Sequence, residues 1–578
     1  MAVPLMVWCV AAVLTCGAQR ASVGQANVEQ ARQAFRAGSD AYARGDLRAA
    51  RAEFERAVQL APAVEEGHSA LGVVLFGLGE YPRAIAELTT ALKMKPGDRT
   101  AEENLAQVYS QRGSPDKAVS LFEAMDRDAP LNAAMLEAWS KDLAALRKTA
   151  AAIEVMRRAA AGDPENASIA DELGSLYAQA GQWSDAEKAF GEAIRLNPQL
   201  AAAHMHLGIV LSHEQQADGA EEEFARAAEL DPRNARVQLE WGNALVAANN
   251  DEEAVKHLQQ AVALDPDLTD GEYQLALALQ RLGRESESVP LFRKVVAARP
   301  QFAEALTNLG LALVQTGQAK QAVPLYLRAA ALTPQNATVH QDLGVAYLQE
   351  SDVDDAVKEF QTALKIAPGD PHLHYDLGLA LKLKDDLPDA IAELETALRL
   401  DPESPDAPYT LGILYMQAGR FDDAVKNLKA ALAVRPQNGD GWSILGSVYK
   451  QQGKYDDAAA ALRKAIEMLP AQPGPHITLA SVLQEEGKQD EAVAERKKAA
   501  DLTRVAVNRQ RAVFATNAGN ALLDKGQIAD AIARYQEAIG SDPNYAEAHR
   551  QLAVALADQG RLSESAAEKQ KAEALSKP

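Results

Sequence analysis

The chain has 578 residues, too many for one compact core, and with 5% aromatic and 24% charged residues it suits several domains or one elongated helical array. A formal net charge of −22, from carboxylates spread along the whole length, repels phosphate backbones, and no Lys/Arg cluster interleaved with aromatics reverses that; nucleic acid is excluded as a partner. Both cysteines, Cys9 and Cys16, lie near the N-terminus, so the rest of the chain can form neither a disulfide nor a thiolate zinc site.

Residues 1–26 read as a targeting segment. No charged side chain precedes Arg20, Val3 to Leu14 is strongly apolar, and Thr15-Cys16-Gly17-Ala18 turns small and polar. This resembles a secretory signal peptide with cleavage after Ala18, Ala21 or Ala26, although the Lys or Arg usual before the apolar run is missing. Lipidation of Cys16, in a lipobox made atypical by Thr15, and a retained anchor are alternatives; so is a cytoplasmic chain with an odd start. No later stretch is apolar enough to cross a membrane. The expected location is extracytoplasmic, periplasmic or secreted, with membrane contact only through this segment.

Proline then sets the period. From Pro62 through Pro96 and Pro130 to Pro470, thirteen prolines recur every 34 residues, and Pro543 follows at two periods plus five. With this proline as position 32, position 8 is always small, as in Gly38, Ala106, Ser140 and Gly310. Position 20 is alanine except at Ser288 and Ser565, and position 27 is alanine except at Met125 and Val295. Position 24 is large and apolar in most repeats, as in Phe54, Phe190, Tyr326 and Phe360. Small residues at 8 and 20 let two antiparallel helices approach, and the larger ones fill the space around that contact. Glycine at position 15 in eleven repeats, among them Gly79 and Gly181, turns the chain between helices, and the proline ends the second helix.

These columns are the tetratricopeptide signature, and the chain resembles a tetratricopeptide-repeat (TPR) protein of bacterial type over about residues 31–578. The resemblance implies an all-α, right-handed superhelical solenoid of antiparallel helix pairs in about sixteen repeats. A segment at 1–26 is followed by repeats one to fourteen within 27–506, a register break at 507–511, and repeats fifteen and sixteen within 512–578. Three departures stand out. The fourth repeat has Ser140 at position 8 and no glycine turn, which predicts looser packing. The break predicts an unusually long or kinked helix within Gln489–Thr516. Ser565 and Lys569 in the last repeat suit a polar terminal cap.

In the resembled family the first helix of each pair lines a concave groove. Position 9 there offers Leu277, Leu311, Val345, Leu379 and Ile413; position 5 offers Tyr273, Tyr375 and Tyr409 as an exposed column; position 6 offers Asn308, Asp342 and Asp376. This rail is the candidate partner-binding site, for an extended peptide or a helix. Apolar residues at position 9 also pack against neighbouring helices, so the tyrosines are the more informative column.

Chemistry is sparse. Six of the ten histidines, His68, His204, His340, His374, His476 and His549, occupy position 4, which reads as a packing or capping choice. His-Glu-x-x-His spacing, a phosphate loop and a Gly-x-Ser-x-Gly elbow are all missing, and the repeats leave no room for a catalytic domain. The expectation is therefore a non-catalytic interaction scaffold without cofactor or metal, whose partners are proteins or peptides. Alternatives are a substrate-recruiting partner of a separate enzyme, as the resemblance to the TPR portion of protein O-linked glycosyltransferases implies, and a cytoplasmic TPR regulator.

Overall fold

The computed structural model describes residues 22–576, with side chains from residue 27 onward. Among the described residues there are thirty-one helices and no strand. They pair through short turns, from Ser22–Ala43 with Leu47–Leu60 to Ala546–Asp558 with Leu562–Leu575. Calling the helices of a pair A and B, sixteen pairs are present, because the fourteenth B helix and the fifteenth A helix are one. The helices group into two compact units, one ending at Ala298 and the other beginning at Arg299. No helix of the described residues is long and apolar enough to cross a membrane.

Each pair is built on a close approach between positions 8 and 24. A Cβ on Gly310 would lie 2.6 Å from the Tyr326 ring, and one on Gly344 would lie 2.6 Å from the Phe360 ring. Both rings are fully buried. Position 20 lies on the same seam, with Ala322 and Ala356 wholly covered.

The fourth repeat corrects one expectation. Ser140 is fully buried, and its hydroxyl donates to the Ala152 carbonyl at 2.7 Å, tying position 8 to position 20. The hydroxyl thus bonds across the seam, and the looser packing expected there is not seen. Ser565 does the same in the last repeat, reaching the Ala553 carbonyl at 2.6 Å.

Chain ends of the helices are satisfied locally. Asn or Asp just before an A helix accepts from N–H groups of its first turn at Asp98, Asn132, Asn166, Asn234, Asn336, Asp370 and Asn438. At position 15 the backbone turns left-handed in every repeat. Where glycine is absent, Arg147, Gln215, Asn249, Ser351 and Asp385 adopt φ of 58–64° themselves.

The long helix is present and runs further than 489–516. Gln489–Leu523 spans 35 residues, so the register break at 507–511 is absorbed inside a helix. Five extra residues remove the loop that would fold the fifteenth A helix back onto the fourteenth repeat.

The left-handed turns yield a measurement. Side chains at φ > 0 cost roughly 1–2 kcal/mol, partly offset by the entropy that glycine loses on folding. Gln215→Gly and Ser351→Gly should each stabilise the chain by roughly 0.5–1 kcal/mol in urea unfolding followed by circular dichroism. Equal or lower stability would show that these side chains make compensating contacts.

Candidate partner-binding site

The expected rail is divided between the units. Tyr273 and Leu277 lie on the A helix Thr269–Arg281 of the first unit; the other nine residues lie on A helices of the second. All eleven are half-buried. Tyrosine and the position-9 residue are four apart in Tyr273/Leu277, Tyr375/Leu379 and Tyr409/Ile413, which puts each couple on one helix face.

The tyrosine column is less exposed than expected. Tyr273 lies edge-on to Phe292, with ring centroids 6.1 Å apart. Tyr375 and Tyr409 pack against the core that runs from Ala356 to Ala492. Hydrogen bonding explains part of this: position 5 of one A helix meets position 6 of the next. Tyr375 Oη stands 3.4 Å from Thr410 Oγ1, and Gln341 Nε2 donates to Asp376 Oδ2 at 2.7 Å. His206 Nδ1 and Asp171 Oδ1 repeat the arrangement at 2.9 Å in the first unit. These groups interlock successive A helices, and all but the buried Thr410 still show part of their surface.

The two carboxyls of the row are electrostatically tense. Burial pushes Asp342 up to about 6. Burial also raises Asp376, with the Gln341 amide pulling in the other direction. A cationic or N–H group supplied by a bound segment would relieve either one. Tyr375 and Asp376 also open onto a cavity of about 270 Å³ with His372, Asp401 and Asp406.

The position-4 histidines have a structural task. Each Nδ1 meets the glutamate at position 23 of its own repeat, from 2.5 Å in His476–Glu495 and His549–Glu568 to 2.7 Å in His340–Glu359. In His68, His204, His374 and His549, Nε2 also lies 3.0–3.2 Å from the carbonyl of the preceding position-32 proline. Trp442 occupies position 4 in its repeat and donates to the Pro436 carbonyl at 2.9 Å. The column staples the A helix to its B helix and to the loop before it. Among the described residues, no three His, Cys, Asp or Glu side chains gather as metal ligands.

One surface escaped the sequence reading. Beside the long helix lies a cleft of about 580 Å³ that Ile477, Val507 and three arginines line. Its signal was available: position 24, large and apolar from Phe54 to Leu462, is Arg496 in the fourteenth repeat.

Comparison with known proteins follows the same columns. Models of the tetratricopeptide repeat match residues 35–87, 69–133 and 172–235, and a second TPR-repeat model matches 242–283 and 519–560. The C-terminal domain of cilia and flagella-associated protein 70 matches residues 291–516. No curated protein matches. Among solved structures, the APC/C hetero-tetramer Cut9–Hcn1 is similar over 92% of this chain and 98% of its own, at 15% identity and a TM-score of 0.36. YrrB, a TPR protein with an unusual peptide-binding site, is similar over 32% of this chain and 96% of its own, at 23% identity and a TM-score of 0.30. MamA from Desulfovibrio magneticus RS-1, residues 41 to its end, is similar over 29% and 96%, at 25% identity and a TM-score of 0.29. Paired helices in a 34-residue register make the chain an α-solenoid by class. The repeat models make it a tetratricopeptide-repeat protein with many repeats.

Asp342 gives a pH test with a definite sign. Its folded value of about 6 lies above the ordinary 3.8, so the fold favours the protonated carboxyl. Stability from this group is full below pH 4 and is lost as pH rises through 6. Asp342→Asn should therefore stabilise the chain by about 1–2 kcal/mol at pH 7.5, and the gain should vanish near pH 4. A gain that does not change with pH would assign it to packing.

Proposed function

We propose that the chain is a non-catalytic scaffold that gathers other proteins by holding extended or helical segments of them along its A helices. Tetratricopeptide-repeat arrays generally mediate contacts between proteins, and stacked repeats offer long surfaces for doing so. The observation that carries the reading is the row Tyr375, Leu379, Tyr409 and Ile413. Two adjacent A helices present the same aromatic–aliphatic couple, half-covered by the fold, with the half-buried carboxyl of Asp376 beside it. Partly exposed tyrosine supplies contact area at low entropy cost, and a partly desolvated carboxyl favours a segment that brings donors. The scaffold acts outside the cytoplasm, on the strength of the apolar, charge-free start of residues 1–26, which lie mostly outside the described residues.

Two measurements test this. Affinity capture from the native organism with the Tyr375→Ser/Tyr409→Ser chain should lose partners that the unaltered chain retains, with far-UV circular dichroism unchanged. An identical partner set would sink the groove assignment. Cell fractionation with sequencing of the mature N-terminus should find the chain outside the cytoplasm and shortened after Ala18, Ala21 or Ala26; an intact cytoplasmic chain would refute the export part.

A further inference from the structure

The long helix Gln489–Leu523 leaves two repeat faces uncovered. In the second unit, position 5 is buried or half-buried in every repeat except at Ile477, 56% exposed, and at Arg550. Position 21 is likewise covered except at Val493, 57% exposed, and at Ala566. Arg550 and Ala566 belong to the sixteenth repeat, the last among the described residues. Ile477 and Val493 belong to the fourteenth, whose successor's A helix runs on in line and does not fold back. Across the break, position 3 is buried from Ala305 to Pro475 and again at Ala548, yet Phe514 is 78% exposed.

An uncovered repeat face is ordinarily polar. This one is polar only on one side. Val493, Ala500, Val507 and Phe514 recur every seven residues, all exposed, and form one apolar stripe down the helix. Lys497, Arg504 and Arg511 recur at the same spacing beside them, also exposed. On the other flank Ala492 and Ala499 are buried against their own repeat. The cleft of about 580 Å³ on this face is lined by Ile477, Arg496, Thr503, Arg504, Val507 and Arg511. No carboxylate lines it, in a chain with 81 acidic against 59 basic side chains. Arg504 reaches Asp501 at 3.0 Å with both side chains well exposed, and Arg511 makes no ion pair among the described residues.

We infer that this face docks an amphipathic helix of a partner protein, with apolar residues at seven-residue spacing and Asp or Glu on its flanks. The vacated place is that of an A helix, so its shape is helical. The stripe from Val493 to Phe514 is about 31 Å long at 1.5 Å per residue, enough for a helix of about six turns. A cationic row beside an apolar one selects acidic flanks, as in paired coiled-coil helices. A second copy laid antiparallel on the same stripe would set cation against cation. The surface lies in repeats fourteen and fifteen, away from Tyr375 and Tyr409, and stands independently of the scaffold reading.

The test uses the full chain and two synthetic peptides of about 22 residues with leucine in a heptad stripe, one flanked by glutamate and its twin by lysine. In fluorescence anisotropy the glutamate peptide should bind, lose affinity as salt rises, and bind about tenfold or more tightly than the lysine twin. Val507→Asp with Phe514→Ala should weaken it about tenfold or more with helicity unchanged, and Arg504→Glu with Arg511→Glu should favour the lysine twin. Tyr375→Ser/Tyr409→Ser should leave this binding intact. The proposal is overturned by no binding of the glutamate peptide, by equal affinity for both peptides, or by variants that bind as the unaltered chain does. A chain that sediments as a dimer dissociated by Phe514→Ala would also overturn it, assigning the face to a second copy.

Discussion

The contact between a small residue at position 8 and a large one sixteen residues later is what the array is made from. Without a Cβ at Gly344, the Phe360 ring can lie against the opposing backbone and be wholly buried. Burying such a ring is worth roughly 1.5–3 kcal/mol, repeated along the chain. Once that seam closes, the other features have fixed places: the left-handed turn at position 15, the alanine at 20, and the A-helix face left for the next repeat. The seam tolerates variation only when the geometry is kept. Ser140 keeps it by adding a hydrogen bond across the gap, and Gly310 keeps it with Tyr326 in place of phenylalanine.

The fold was legible because its signals are periodic and redundant. Proline, alanine and glycine columns each reported the same 34-residue unit, and the helix pairs follow them. Single-residue judgements fared less well. Ser140 read as a flaw because composition shows that it is polar but not where its hydroxyl points. Arg147 and Gln215 hid two turns, since a left-handed backbone at a non-glycine residue leaves no mark in the sequence. The register break predicts the long helix but not its far end, because the seven residues after Thr516 carry a helical pattern either way.

The candidate site was legible as columns but not as surface. Family geometry placed positions 5, 6 and 9 on one face, and the structure keeps each tyrosine and its partner four residues apart on that face. It also shows that positions 5 and 6 spend part of their polarity on each other, as Gln341 does with Asp376. That pairing runs between residues 35 apart, a spacing invisible when each repeat is read alone. Arg496 was a different kind of omission. It stands where position 24, large and apolar through Leu462, turns basic.

The continuous helix Gln489–Leu523 has a consequence for cooperativity. In a linear array, stabilising free energy passes from one repeat to the next through stacked faces. Here the backbone continues while the stacked face is missing, so the junction carries direction and length but little mutual support. The last two described repeats therefore form a block that draws less support from the fourteenth than stacked repeats draw from their neighbours. Whatever settles against Phe514 would supply the missing neighbour and join that block energetically to the rest.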